Sequence, residues 1–376
     1  SYLTYFISIF LLDTIQTQLE SIFFVIIKSM INEFGRIMLD IEGTSLTDED
    51  KFVITNEHVG GIIFFSRNFE SYEQIKNLII EIKNIKENII FAVDHEGGRV
   101  QRFKNEFTKI PSMQEISLYA KKNSNSKIFK EVAWLSSSEL ISAGIDINFA
   151  PVLDLDKNSS SIIGDRAFSN EAQEVIKNAS FFIDGMNEAG MSSTGKHFPG
   201  HGGVVEDSHK EMPTDNRSFD ELDSENNDLE PYRRLSKKLD AVMCAHILFP
   251  KIDEYIPSFS NYWLKDFLRN ELNYRGLVLS DDLTMLGAGN DSCHEKVEKS
   301  LNAGCDMVLI CNDRNGAKQA IDFMGKKDID KSVEIAKLKS SSKCEWSDLD
   351  SSLRAKEIKS IIKEIGDKHE KNSNGS

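Results

Sequence analysis

The segment Lys196-His197-Phe198-Pro199-Gly200-His201-Gly202, followed closely by Asp207-Ser208-His209, crowds three histidines, a lysine and an aspartate together in a chain with only 8 histidines. Glycines at 200, 202 and 203 allow backbone conformations that other residues avoid, and Pro199 stiffens the entry. Titratable groups gathered on a glycine-bearing loop point to chemistry rather than to a solvated turn. Two mechanisms fit these residue types. His197, His201, Asp207 and His209 can ligate zinc, with a bound water as nucleophile. Alternatively, Asp207 orients His209 as a proton donor and acceptor beside a separate nucleophile. A zinc-dependent barrel hydrolase calls for a His-x-His early in the chain, and none is present, which favours the acid/base reading.

Three further groups belong with this loop. Ser280-Asp281-Asp282 ends an apolar run at Leu277–Leu279, so at least one carboxylate stands where a strand stops. Such a carboxylate can be a nucleophile, a metal ligand or a helix cap. The pair can divide these tasks, with Asp281 facing a pocket and Asp282 serving structure. In Asp94-His95-Glu96-Gly97-Gly98-Arg99-Val100-Gln101-Arg102, two glycines turn the chain sharply. Asp94 can accept from vicinal hydroxyls, and Arg102 can donate in a plane to oxygens. Arg166, in Gly164-Asp165-Arg166, offers another guanidinium. No Gly-rich phosphate cradle is present, so this set suits a polyhydroxylated substrate better than a phosphate ester.

These groups need a scaffold that brings distant segments to one place. Short apolar runs recur at Arg36–Ile41, Gly61–Phe65, Ile89–Val93, Ile145–Pro151, Ser192–His197, Ala241–His246, Leu277–Ser280 and Asp306–Cys311. Several are continuous rather than alternating, as parallel strands covered on both faces require. Between them, Ile75, Leu78, Ile79, Ile82 and Ile85 recur at helical spacing, as do Val175, Ile176, Ala179, Ile183 and Met186. Eight strands alternating with helices predict an α/β fold, a single-domain (β/α)8 TIM barrel, with an open doubly wound sheet as the alternative. Asp94, His197, His246 and Asp281 fall at or just after strand ends, where such a barrel builds its active site.

The net charge of −15 over 376 residues argues against a nucleic-acid partner. Five scattered cysteines without a C-x-x-C pair suit a reducing compartment. Residues 1–29 carry two apolar runs too short to span a bilayer and read as an extension outside the domain. The barrel domain is expected over residues 30–366, ending in a helix from 353, with 367–376 as a disordered tail.

Together the Lys196–His209 loop, Asp94–Arg102 and Ser280–Met285 resemble glycoside hydrolase family 3, and within it the single-domain bacterial β-N-acetylglucosaminidases of cell-wall recycling. The resemblance covers roughly 30–312 in the right order and includes Gly304-Cys305-Asp306-Met307-Val308. It implies retaining hydrolysis, with Asp281 as nucleophile, His209 as acid/base and Asp207 as its dyad partner. It implies that Asp94, Arg102, Arg166, Lys196 and His197 hold the sugar. The implied substrate is N-acetylglucosamine β-linked to 1,6-anhydro-N-acetylmuramic acid, with or without peptide. No cofactor or metal is implied, nor any obligate membrane association. A monomer in the cytoplasm is expected. Transfer to phosphate instead of water is the variant within the same family.

Overall fold

The computed structural model describes residues 33–157, 162–208 and 212–373, with side chains described as far as 367. Eight parallel strands form one sheet: β1 (Ile37–Leu39), β2 (Val59–Phe64), β3 (Ile90–Val93), β6 (Ile147–Asn148), β7 (Thr194–Phe198), β8 (Ala241–Cys244), β9 (Leu277–Asp282) and β10 (Met307–Ile310). Between β3 and β6, the short strands β4 (His95–Gly97) and β5 (Val100–Gln101) make an antiparallel hairpin. The order in the large sheet is β6-β3-β2-β1-β10-β9-β8-β7. Its two ends meet through parallel bridges from Ile147 to Ser192 and from Val152 to Lys196. The seam is hydrogen bonded, with Leu153 N–H donating to the Lys196 carbonyl at 2.7 Å and Thr194 N–H to that of Ala150 at 2.7 Å. The sheet closes into a (β/α)8 barrel.

Strand side chains alternate between two apolar environments, which explains why the runs look continuous. Met38, Ile90, Ala92, Phe149, Met243, Leu279 and Leu309 fill the barrel interior. Their neighbours Ile37, Leu39, Phe91, Val93, Val242, Val278 and Val308 face outward into the layer of helices. The helix Tyr72–Ile85 buries Ile75, Leu78, Ile79 and Ile82, and the Ser71 side chain caps its start. The helix Ala172–Ala189 buries Val175, Ala179, Ile183 and Met186, and stops at Gly190 with φ of 93°.

All eight expected strands are present, and β9 runs on through both aspartates rather than ending at Ser280. The final helix spans Leu353–Ser373, beyond the boundary expected at 366. Ala355, Ile358, Ile362 and Ile365 are buried along it, and the Lys and Glu residues that follow are good helix formers, so their polarity does not end it. Among the described residues no helix is long and apolar enough to cross a membrane. The expected extension at 1–29 lies outside the described residues, as do 374–376.

Candidate active site

Asp94 leaves the end of β3, and the chain turns back at Gly97 and Gly98, whose φ values are 111° and 55°. The hairpin brings Asp94 and Glu96 to one cation, Lys196, which rises from the middle of β7. Lys196 Nζ donates to Asp94 Oδ1 at 2.8 Å and contacts Glu96 Oε1 at 2.6 Å. Arg166 grips Glu96 with both arms of its fork, Nε to Oε2 and Nη2 to Oε1, each at 2.8 Å. Arg102 Nη2 reaches the other oxygen of Asp94 at 3.3 Å.

The result is a chain of alternating charge, buried at Lys196 and Glu96 and half-buried at its ends: Arg102, Asp94, Lys196, Glu96, Arg166. Burial favours the neutral forms of the two carboxyls and the ammonium, and the mutual attraction of the chain opposes it. Burial pulls the Asp94 carboxyl up, but Lys196 and Arg102 outweigh it and hold it well below the usual carboxylate range. Glu96 is likewise raised by burial and brought down to about 2 by Arg166 and Lys196. Burial works against the Lys196 ammonium, yet Asp94 and Glu96 raise its pKa above the ordinary value.

A second cluster adjoins the first. Asp154, fully buried beyond β6, accepts from the backbone N–H of His201 at 2.7 Å and pairs with His197 Nδ1 at 2.7 Å. The N–H of His197 also points to it. This fixes the ring of His197 and leaves Nε2 as its other nitrogen. Burial lowers the His201 pKa, with His197 adding to the effect. His201 Nε2 lies 3.4 Å from Ser208 Oγ, and the Ser208 carbonyl accepts from Gly287 N–H at 2.8 Å. The loop between β7 and β8 is held further out by Arg217, whose guanidinium pairs with Asp215 and Asp228 at 2.6 Å each.

Asp281 stands near the end of β9. Burial raises its carboxyl, but His246, His197, the Asp282 amide and Lys196 together hold it below the usual range. Asp282 behaves differently. Its oxygens accept from Thr284 N–H at 3.0 Å, Cys311 N–H at 3.0 Å and Thr284 Oγ1 at 2.8 Å, which ties the ends of β9 and β10 together. Burial pushes its pKa up to about 6. Both aspartates line the cavity, Asp281 held low in pKa and Asp282 engaged by Thr284 and the Cys311 amide.

A single cavity of about 340 Å³ is lined by Asp94, Arg102, Arg166, Lys196, His197, Asp207 and Asp281. The structure brings all of these expected residues together, and His209 lies outside the described residues. His246 is buried and outside the cavity lining, yet near enough for its charge to act on Asp281. Glu96 and Asp154 were not singled out in advance. Glu96 carried a signal, since two residues on from Asp94 in an extended segment is the same face. Asp154 carried none. Among the described residues, no three His, Cys, Asp or Glu side chains converge as a metal site. His209, one of the four residues of the zinc reading, lies outside the described residues.

Known proteins are similar to this chain along most of their length. The chain is 46% identical over 290 residues to a beta-hexosaminidase of Idiomarina loihiensis, covering 77% of this chain and 87% of that one. It is 42% identical over 332 residues to a beta-hexosaminidase of Tolumonas auensis, covering 87% and 97%. The crystal structure of NagZ from Neisseria gonorrhoeae in complex with N-trifluoroacetyl-D-glucosamine superposes with a TM-score of 0.82 at 36% identity, covering 89% of this chain and 98% of that one. The barrel with its charged mouth is that of a glycoside hydrolase of the β-N-acetylhexosaminidase type. The model of the glycosyl hydrolase family 3 N terminal domain matches residues 14–337, and the chain belongs to that family.

Proposed function

We propose that the chain is a retaining exo-β-N-acetylglucosaminidase that removes terminal β-linked N-acetylglucosamine from peptidoglycan fragments. The reading is carried by one observation: Asp281, held ionised, shares a cavity with the charge chain from Arg102 to Arg166. Asp94, Arg102, Arg166, Lys196 and His197 offer donors and acceptors on one side, suited to the hydroxyls of a sugar ring. Asp281 is then the nucleophile. Its carboxylate oxygen forms a bond to the anomeric carbon while the glycosidic oxygen leaves with a proton from His209. In the second step His209 takes a proton from water, whose oxygen displaces Asp281. Asp207, which lines the cavity, orients His209.

The substrate is N-acetylglucosamine linked to 1,6-anhydro-N-acetylmuramic acid, with or without peptide, and the protein acts as a monomer in the cytoplasm. The beta-hexosaminidases and the NagZ structure support the sugar, and five free cysteines support the compartment. Assays of Asp281→Ala and His209→Ala beside the wild type test the mechanism. Asp281→Ala loses the first chemical step on every glycoside, whereas His209→Ala retains more activity on substrates with good leaving groups. Full activity in Asp281→Ala overturns the reading. Rates unchanged by added phosphate identify water as the acceptor.

A further inference from the structure

The three cations of the charge chain are held unequally. Lys196 and Arg166 reach their carboxylates at 2.6 to 2.8 Å. Arg102 has one hydrogen bond to a carboxylate, 3.3 Å long, and its buried Nε has no hydrogen-bond partner among the described residues. That length lies past the usual N–H···O range, so the guanidinium stands where its backbone puts it.

The backbone at Arg102 leaves β5, and residues 103–112 belong to no strand or helix. Side chains shape them instead. Gln101, buried directly before Arg102, donates from Nε2 to the carbonyls of Phe103 and Thr108 at 3.0 Å each. Its Oε1 accepts from the N–H of Ile110 at 2.9 Å, so both donors of the carboxamide and its acceptor are engaged. The Ile110 carbonyl in turn accepts from Gly98 N–H at 2.8 Å, which ties the far end of the loop back to the hairpin.

This brace is anchored outside the loop. Thr108 gives its N–H to Glu139 Oε2 at 2.9 Å and its hydroxyl to Oε1 at 2.6 Å. Glu139 is buried in the helix Ile128–Ala143, and Lys359 of the last helix lies 3.2 Å from Oε1. A buried carboxylate is costly unless it is paired and hydrogen bonded, and an apolar side chain would fill a helix layer at less cost. The two oxygens of Glu139 match the two donors of Thr108. The helix layer therefore holds Thr108, Thr108 is joined to Gln101, and Gln101 precedes Arg102.

We propose that Glu139 is a positioning residue for substrate binding, acting through Thr108 and Gln101 to set Arg102 against the sugar. The inference rests on the sugar-holding role proposed above for Arg102. Kinetics on 4-nitrophenyl N-acetyl-β-glucosaminide, with thermal melts alongside, compare the wild type with Glu139→Ala, Glu139→Gln, Arg102→Ala and the double variant Glu139→Ala/Arg102→Ala. Arg102→Ala should cost about tenfold in kcat/KM, as one charge-assisted hydrogen bond provides. Glu139→Ala should raise KM about fivefold with kcat nearly unchanged, because a grip on ring hydroxyls acts in ground and transition state alike. Glu139→Gln keeps the wild-type KM, since its carboxamide accepts from the Thr108 N–H and donates to the hydroxyl oxygen. The double variant should be no worse than Arg102→Ala alone. An unchanged KM in Glu139→Ala, with or without the fall in kcat that an unfolded fraction produces, overturns the inference. So do losses that multiply in the double variant, which mark a structural role independent of Arg102. If Glu139→Ala does not fold, Thr108→Val carries the same comparison: a KM raised about threefold, and only while Arg102 is present, supports the inference, and a wild-type KM overturns it. Wild-type kinetics in Arg102→Ala overturn the sugar-holding role itself, an outcome distinct from the others.

Discussion

Gly287 offers the sharpest test of how the loop bearing Asp207 and His209 is held. Its N–H binds the Ser208 carbonyl at 2.8 Å, and its φ lies outside the left-handed region, so alanine there is free of backbone strain. The added Cβ would lie 2.9 Å from the His246 carbonyl oxygen and 3.0 Å from both Cβ and the carbonyl oxygen of Ser208. Ordinary carbon contacts begin near 3.5 Å, so something must move by roughly half an ångström. His246 follows β8 in the barrel wall, whereas Ser208 rides the loop, and it is Ser208 that gives way. A misplacement of about 1 Å in a reacting group costs on the order of 100-fold, so half that distance predicts about tenfold. The loss falls on proton transfer alone. Gly287→Ala should lower kcat/KM about tenfold on aryl N-acetyl-β-glucosaminides with weakly acidic phenols, and much less on nitrophenyl substrates that need little protonation. Thermal melts run alongside report the fold. A uniform loss across the series, or none with an unchanged melt, refutes the reasoning.

Other outcomes follow from the charge chain and the frame. Lys196→Met strands two buried carboxylates, and chemical denaturation should show a loss of about 3 kcal/mol or more; a loss under about 1 kcal/mol would mean that Arg102 and Arg166 suffice alone. Asp282 titrates near 6 when folded and at 3.8 when unfolded, so the folded state binds the extra proton and stability falls as pH rises between those values. Asp282→Asn removes that slope, and its stability relative to wild type should rise by at most about 3 kcal/mol from about pH 4 to about pH 7. A flat difference between the two proteins would place the carboxylate elsewhere in its titration. Chelator treatment should leave the rate on a chromogenic glucosaminide undiminished, and a loss restored by zinc would revive the metal reading.

The barrel was legible because each strand is a compact apolar run, and Asp94, Lys196 and Asp281 were legible because each breaks such a run with charge. The structure adds what only long-range closure produces. Only two residues of the 145–151 run are laddered, in β6, and the rest bends across the seam, carrying Asp154 to His197 from more than forty positions away. Neither periodicity nor local motif encodes that meeting. Glu96 was hidden differently: the glycines of its hairpin read as a loop, which masked the strand alternation that aligns it with Asp94. The last helix escaped its boundary because polar composition weakens burial without ending helical propensity.

The closing seam of the barrel runs through Lys196 itself. The residue that joins Asp94 to Glu96 also gives its carbonyl to Leu153 and its amide to Pro151, where the first and last edges of the sheet meet. The sheet is laddered everywhere else, but here isolated bridges hold it. Half a barrel, however well folded, therefore holds only half a sugar site, and the centre is complete only when this seam closes. Amide exchange should accordingly find the 150–153 and 194–196 backbone opening ahead of β1, β2 and β10, so that the place where sugar is gripped is also where the cylinder first comes apart.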